Sequence, residues 1–545
     1  MSEITLYRAR RILTMNPRQR VATHVAVRDG RILAVGDADC VAGWGKARHD
    51  DRLADAVLMP GFVEAHAHLM AGGVWRFTYA GYHRRVAPDG GVWDGLTEID
   101  AVLGRLRAAE AALGRDETLV AWGFDPIFLE GERLSRRDLD TVSATRPVVV
   151  LHSNFHMITV NGAALALARY DRGSNVEGIG KDADGEPTGE IRGMAAMFPI
   201  LRRLGLDFRA LTRAESALAP FAETARRCGV TTATDLLNEL VPEEAQRMRA
   251  VTGRADFPLR LFVAKSAHTA PPHDIAEEAI ALAKLSSDKL RLGACKIIVD
   301  GSVQAFSAQL RWPGYYRVPD HSVWNMPPEK LEETIEILNA RGLQVHIHTN
   351  GDLATEVALN AVERALDRHP RPDHRHTLQH CQLPERAQFQ RMAKLGLCAN
   401  LFANHIFYFG DKHAEMTLGP DRVQRLANCR TALESGVRLA IHSDAPVTPM
   451  GPLFTAWCAV NRLSSSGRLI NEAERLTVQE ALEAITLGAA FTLRMEGEIG
   501  SIETGKRADF AVLADDPTEI GAERLKDVRV LGTVVDGIPF LGGAG

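Results

Sequence analysis

The strongest constraint on how this chain folds is a recurring order along its middle: a short apolar run, then a helical stretch, then another short run. The runs are Thr231–Leu237, Leu259–Ala264, Ala294–Val299, Leu343–His348, Thr377–His380, Leu397–Phe402 and Val437–His442. Each is too short for a buried helix and has the aliphatic, β-branched content of a strand covered on both faces. The stretch from Asp352 to Arg368 is helical in pattern. Val357, Ala358, Ala361, Val362, Ala365 and Leu366 share one face, Asp352 after Gly351 reads as an N-cap, and His369-Pro370 ends the helix. Strands alternating with helices imply a parallel sheet. About eight such strands would close a (β/α)8 barrel. Periodicity alone leaves an open doubly wound sheet as the alternative.

Both ends of the chain read differently. Val25 to Val35 contains two alternating apolar runs around Asp29-Gly30, a hairpin signal. Near the other end, Ala508–Leu513 is a short strand, and Val528–Val535 runs into Asp536-Gly537. Termini often lie close together, so these segments are expected to pair. The predicted fold class is therefore α/β: a parallel-sheet body, closed as a barrel or open, with a small sheet module built from both chain ends. The module is assigned to 1–58 and 496–545. The α/β body takes 59–495, with irregular insertions around 70–225.

Composition narrows the partners. Lys and Arg total 64 against 69 Asp and Glu, a net charge of −5 without charged blocks. Neither nucleic acid nor a membrane surface is an expected partner. No signal-peptide pattern and no apolar run of transmembrane length is visible. The seven cysteines are scattered, with no C-x-x-C pair, which suits free thiols in a reducing compartment. A cytoplasmic protein acting on a small-molecule substrate is expected, with a homodimer as the default assembly.

The chemistry starts at His66-Ala67-His68, just after the run Val57–Val63. Residues i and i+2 of a strand share a face, so both imidazoles can reach one divalent ion. Such a pair also arises by chance among 19 histidines. Other residues suited to a metal site stand at the ends of later strands: Lys296, His348, His380 and Asp444. In a barrel, the C-terminal strand ends converge on the active site. An ordered set of this kind is far harder to obtain by chance than the first pair. His346 and His442 lie two residues before His348 and Asp444. They could face the interior in supporting roles.

This order resembles the amidohydrolase superfamily, in its YtcJ-like (amidohydrolase-3) branch, which includes N-substituted formamide deformylase and AepA-like regulatory proteins. The matching motifs are Pro60-Gly-Phe-Val-Glu-Ala-His-Ala-His68, Lys296-Ile-Ile-Val-Asp-Gly-Ser302, His348-Thr-Asn-Gly-Asp352, His380-Cys-Gln382, His442-Ser-Asp-Ala-Pro-Val447 and Gly500 to Asp509. The resemblance implies a TIM-like (β/α)8 barrel with a small β-sandwich module built from both chain ends, and two divalent ions per chain, most often Zn2+. His66, His68 and Asp444 would hold one ion, and His348 and His380 the other. Lys296, carboxylated by CO2, would bridge them, because a carbamate is an anionic oxygen donor and an ammonium is not.

The implied reaction is cleavage of an amide-type C–N bond in an N-acyl or N-formyl amine or related amide. A metal-bridging hydroxide would attack the carbonyl carbon, with Asp444 as general base and then acid. His156, in His152-Ser-Asn-Phe-His-Met-Ile-Thr-Val-Asn161, and His405, in His405-Ile-Phe-Tyr-Phe-Gly-Asp411, resemble segments that reach substrate in the branch. Glu64 stands where many relatives have Asp, and little consequence is expected. Two alternatives stay open: a deaminase of an amino-heterocycle on the same barrel, which would keep one metal, and a non-catalytic regulatory binding protein.

Overall fold

The computed structural model describes residues 3–129, 133–206, 210–213 and 215–542. Parts of the expected insertion, at 130–132, 207–209 and 214, lie outside them. Two compact units emerge, one formed by 1–69 with 222–545 and the other by 70–221.

The first unit contains the expected barrel. Its strands are β1 (Phe62–Glu64), β2 (Val230–Asn238), β3 (Arg260–Ser266), β4 (Leu290–Ile298), β5 (Val345–Thr349), β6 (Thr377–His380), β7 (Cys398–Leu401) and β8 (Arg438–Ile441). They pair in sequence order, every pair parallel. The sheet closes just beyond the strand ends. Ala67 and Ala445 form a parallel bridge, the His68 N–H donates to the Ala445 carbonyl at 2.9 Å, and the Asp444 N–H donates to the His66 carbonyl at 3.1 Å. β1 and β8 are thereby joined at the level of the His66 and Asp444 backbones. Interior side chains such as Val63, Ala65, Phe262, Ala264, Ala294 and Ala440 fill the barrel as a packed core.

The helix predicted at Asp352–Arg368 forms with those limits. Gly351, not Asp352, is its N-cap. Asp352 is the first helical residue, and its carboxylate accepts the Arg311 N–H at 2.8 Å.

The chain ends meet as expected. Ile4–Leu13, Val21–Arg28, Arg31–Gly36, Ala47–Asp50 and Val57–Pro60 join Phe510–Leu513, Val530–Val535 and Ile538–Leu541 in one eight-stranded sheet. The seam between the two ends is Val57–Pro60, antiparallel to Phe510–Leu513 and parallel to Ile4–Leu13. The Asp29-Gly30 turn has positive φ at both residues, 55° and 73°, as a two-residue type I′ hairpin requires. This sheet is tied to the barrel by Arg260 at the start of β3. Its buried guanidinium lies 3.1 Å from Asp509 and 2.9 Å from Asp536.

The second unit, 70–221, has a six-stranded mixed sheet of its own, ordered Ile179–Lys181, Pro187–Arg192, Met157–Val160, Val148–His152, Leu119–Phe124, Thr78–Tyr79. Apolar clusters cover it, one around Trp122, Ile158 and Met197, the other around Val102, Leu106 and Phe124. All seven cysteines are free. Among the described residues, no helix is long and apolar enough to cross a membrane.

Candidate metal centre

His66 and His68 follow β1 and both face the Asp444 carboxylate. Asp444 Oδ1 lies 3.5 Å from His66 Nε2 and 3.3 Å from His68 Nε2. Lys296, two residues before the end of β4, brings its Nζ to 3.3 Å from His66 Nε2. His380 Nδ1 stands 3.7 Å from Asp444 Oδ2, and the His380 ring is 4.5 Å from the rings of both His66 and His348. Five strand ends thus bring together all six residues that the sequence nominates for the metals.

Two of the six reach the cluster by breaking strand geometry. Gln379 points inward, so a regular pleat would turn His380 outward. Left-handed backbone at His380 (φ 70°) and Cys381 (φ 43°) ends the alternation and returns the imidazole to the cluster. Asp444 also has φ 54°. Non-glycine residues held in this region cost free energy, and such strain concentrates at functional sites.

A hydrogen-bonded layer beneath the cluster sets the histidine tautomers. The strand register places His348 opposite Gln379, and Gln379 opposite Asn400. Gln379 Oε1 accepts from His66 Nδ1 at 2.7 Å and from Asn400 Nδ2 at 2.9 Å. Gln379 Nε2 donates to His346 Nδ1 at 2.8 Å. With its Nδ1 proton committed to Gln379, His66 keeps its Nε2 lone pair towards Asp444 and Lys296. This is the arrangement of a metal-binding imidazole with a fixed outer partner.

Asp235, at the C-terminal end of β2, does the same kind of work from the side, 3.5 Å from His68 Nδ1. Asp300, after β4, accepts the backbone N–H groups of Gln309, Asn350 and Gly351. It thereby holds the turn that follows His348, whose Nε2 is 3.6 Å away. Glu64 accepts both the N–H and the hydroxyl of Ser443, at 3.1 and 2.9 Å, tying β1 to the segment that carries Asp444. None of Gln379, Asn400, Asp235, Asp300 and Glu64 stands out in the sequence as a site residue. The available signal was a polar side chain inside or just after an apolar strand, as in Thr-Asp-Leu at 234–236 or Leu-Gln-His at 378–380.

Burial dominates the electrostatics. It pulls the Lys296 ammonium down to about 7, against the opposing pull of Asp444 and Asp235. It holds His66 and His380 neutral, well below the ordinary imidazole value. Burial also acts downward on His68, but the Asp235 and Asp444 carboxylates beside it prevail and raise it to about 9. Burial acts upward on Asp444, yet His68 and the other cationic neighbours keep it below the usual carboxylate range. Burial pushes Glu64 up to about 8.

The donor set fits a divalent metal. Two groups, His66–His68–Asp444 and His66–His380–His442, have their ligand atoms within 4.8 Å of one another. Asp444 Oδ1, His380 Nδ1 and both His442 nitrogens are buried without a hydrogen-bond partner. Imidazole nitrogen with carboxylate oxygen is the donor mix of zinc and similar ions.

The two residues expected to touch substrate belong to different units. His156 is an exposed turn residue of the second unit, its N–H bonded to Asn154 at 2.8 Å. The nearby Asn161 caps a helix and is committed to backbone groups on both sides of its amide. His405 lies in the helix Asn404–Lys412, after β7. Its ring is fully buried between Phe402 and Phe409, with Nε2 accepting from Gln382 at 3.1 Å and Nδ1 bonded to His413 at 3.2 Å. In this arrangement His405 has no ring nitrogen left for a substrate.

The sequence profile of the amidohydrolase family matches residues 53–539. The chain belongs to the amidohydrolase family. It is 30% identical to the amidohydrolase YtcJ of Bacillus subtilis strain 168 over 533 residues, covering 94% of each chain. It is 27% identical to an N-substituted formamide deformylase of Arthrobacter pascens over 548 residues, covering 97% of this amidohydrolase and 96% of the relative. A metal-dependent hydrolase of Pyrococcus horikoshii OT3 has a similar fold, with TM-score 0.71 at 20% identity, covering 95% and 99% of the two chains.

Proposed function

We propose that this amidohydrolase cleaves the C–N bond of an amide-type substrate, an N-acyl or N-formyl amine, at a two-metal centre. The observation that carries the reading is the convergence of His66, His68, Lys296, His380 and Asp444 at the C-terminal mouth of the barrel. The name of the Arthrobacter relative supports the substrate class. His66, His68 and Asp444 would hold one zinc ion, and His348 and His380 the other, with Lys296 between them as a carbamate. Bound there, the ions supply Lewis acidity for a carbonyl oxygen and lower the pKa of a water towards neutrality.

The chain's own groups account for the rest. Burial that brings Lys296 to about 7 leaves much of its amine neutral at physiological pH. A neutral amine can form the N–C bond to CO2 and release one proton, giving the anionic carbamate oxygens. Asp444 stays ionised at neutral pH, so its carboxylate can take a proton from the attacking water and deliver it to the leaving nitrogen. Gln379 keeps the His66 lone pair directed into the site.

One observation favours a second reading, a one-metal deaminase of an amino-heterocycle. His66 belongs to both metal-capable groups and has one free lone pair. Metal per chain separates the two. The test of function is a panel of formamides, N-acyl amino acids, ureas, lactams and amino-heterocycles on metal-loaded protein, with Asp444→Asn as the control. Hydrolysis of an amide that the variant loses while its circular dichroism is unchanged is the expected result. Equal turnover by the variant would refute the role given to Asp444.

A further inference from the structure

His405 has no part in the chemistry above, since its ring is buried and both nitrogens are bonded. Those bonds form a one-way string. Gln382 Nε2 donates to His405 Nε2 at 3.1 Å, so the His405 proton sits on Nδ1 and is donated to His413 Nε2 at 3.2 Å. The His413 proton is then on Nδ1, 2.7 Å from Thr417 Oγ1. Gln382 is 1% exposed and the other three residues are fully buried, so the string is removed from bulk water. Burial also holds both imidazoles neutral, as one-way donation requires.

The near end of the string is the turn that carries His380. His380 and Cys381 both have left-handed backbone, and non-glycine residues stay there only where their surroundings hold them. Gln382 is the next residue. Its carbonyl accepts the Ala427 N–H at 2.9 Å, and its side chain ties the turn to His405 in the helix Asn404–Lys412. The His405 ring supports the same turn by a second route. It packs 4.3 Å from the ring of Phe402, whose N–H donates to the His380 carbonyl at 3.1 Å and whose ring is 5.9 Å from that of His380. The far end is anchored in the π-helical turn His413–Thr417. There the Thr417 and Met416 carbonyls accept the Tyr316 and Arg317 N–H groups, both at 2.9 Å.

We propose that His405 is a positioning residue for His380: through Gln382 and Phe402 it fixes the turn that directs the His380 imidazole into the metal centre. The proposal rests on the two-metal reading above and deepens it by naming what holds one of the two sites. It replaces the contact with substrate that the sequence suggests for His405. A released turn can relax towards ordinary strand backbone. That would swing the His380 side chain outward, because Gln379 already faces in. The ion assigned to His348 and His380 would then lose a donor, while the set His66, His68 and Asp444 stands.

The test uses three variants. His405→Phe keeps a ring against Phe402 and Phe409 but cannot accept from Gln382, Gln382→Met breaks the same link from the other side, and the double variant combines them. Wild type and variants are stripped with a chelator and titrated with Co2+. Stepwise affinities are read by chelator competition, and coordination by the visible d–d absorption band. Supporting partners of a metal ligand are worth on the order of 10–100-fold in affinity, so one of the two Co2+ steps should weaken by about tenfold or more in each folded single variant while the other holds. The double variant should be no worse than the poorer single, because both break one bond. A folded single variant that melts lower but binds both ions as wild type does shows a structural role alone and overturns the proposal. Equal weakening of both steps, or losses that add in the double variant, overturns it as well. Wild type that takes up fewer than two Co2+ overturns the two-metal reading and this proposal with it. Should neither single variant fold, Thr417→Val, which removes the anchor at the far end, decides by the same affinities.

Discussion

Replacing Gln379 by Leu should damage metal binding without touching a metal ligand. Gln379 Oε1 is the acceptor for His66 Nδ1–H at 2.7 Å and for Asn400 Nδ2 at 2.9 Å, and its Nε2 is the donor to His346 Nδ1 at 2.8 Å. Asn400 keeps its bond to the Ala65 carbonyl at 3.1 Å, so two buried groups lose their partner, His66 Nδ1–H and His346 Nδ1. Stranding a buried polar group costs about 1–3 kcal/mol, so the metal-free protein should lose about 2–6 kcal/mol. Metal affinity should fall on the order of 10–100-fold, because the His66 tautomer and ring plane are no longer fixed.

Urea unfolding of the stripped protein measures the first quantity, and chelator competition for Zn2+ measures the second. Gln379→Glu retains an acceptor for His66 and Asn400 and should keep more of the affinity than Gln379→Leu. A folded Gln379→Leu protein binding zinc within twofold of wild type would refute the tautomer argument.

Two further outcomes are expected. Arg260→Met leaves Asp509 and Asp536 without the cation that lies 3.1 and 2.9 Å from them. About 3–5 kcal/mol of stability should be lost, read as a lower urea midpoint; an unchanged midpoint would mean that the anchor between terminal sheet and barrel is energetically idle. The Glu480 carboxyl, held by Arg430 and by Thr477, is lowered from 4.5 to about 2. A depressed folded-state pKa contributes stability that is present above 4.5 and lost as pH falls towards 2. Glu480→Gln should therefore flatten the fall in melting temperature across that window, and parallel curves for the two proteins would contradict the assignment.

The barrel was legible because parallel strands buried on both faces are continuous apolar runs, and runs such as Thr377–His380 carry their limits in their neighbours. The Asp-Gly turns were legible for a local reason as well. The run Val57–Val63 hid a boundary. It divides at Gly61 into two strands of different sheets, and nothing in its hydrophobicity marks the crossing. The reason lies far away in sequence, since a Cβ on Gly61 would stand 1.9 Å from Thr231 Oγ1. The second unit resisted reading because several of its strands are very short, Thr78–Tyr79 among them.

At the site, His66, His68 and Lys296 follow from strand position. His380 does not, because its inward turn depends on a left-handed backbone that no side-chain pattern announces. Gln379, Asn400 and Asp235 escaped for a further reason: their partners are set by strand register and not by sequence spacing. Glu64, by sequence alone, carries little consequence. It spans the barrel closure to Ser443, beside Asp444.

The claim that this amidohydrolase is a two-metal amide hydrolase is tested most directly by titrating the chelated protein with zinc while following hydrolysis of its best amide from the substrate panel. No turnover in the stripped protein, a rise with added zinc and a plateau at two ions per chain are predicted. Full turnover in the stripped protein, or a plateau at one ion per chain, would contradict it.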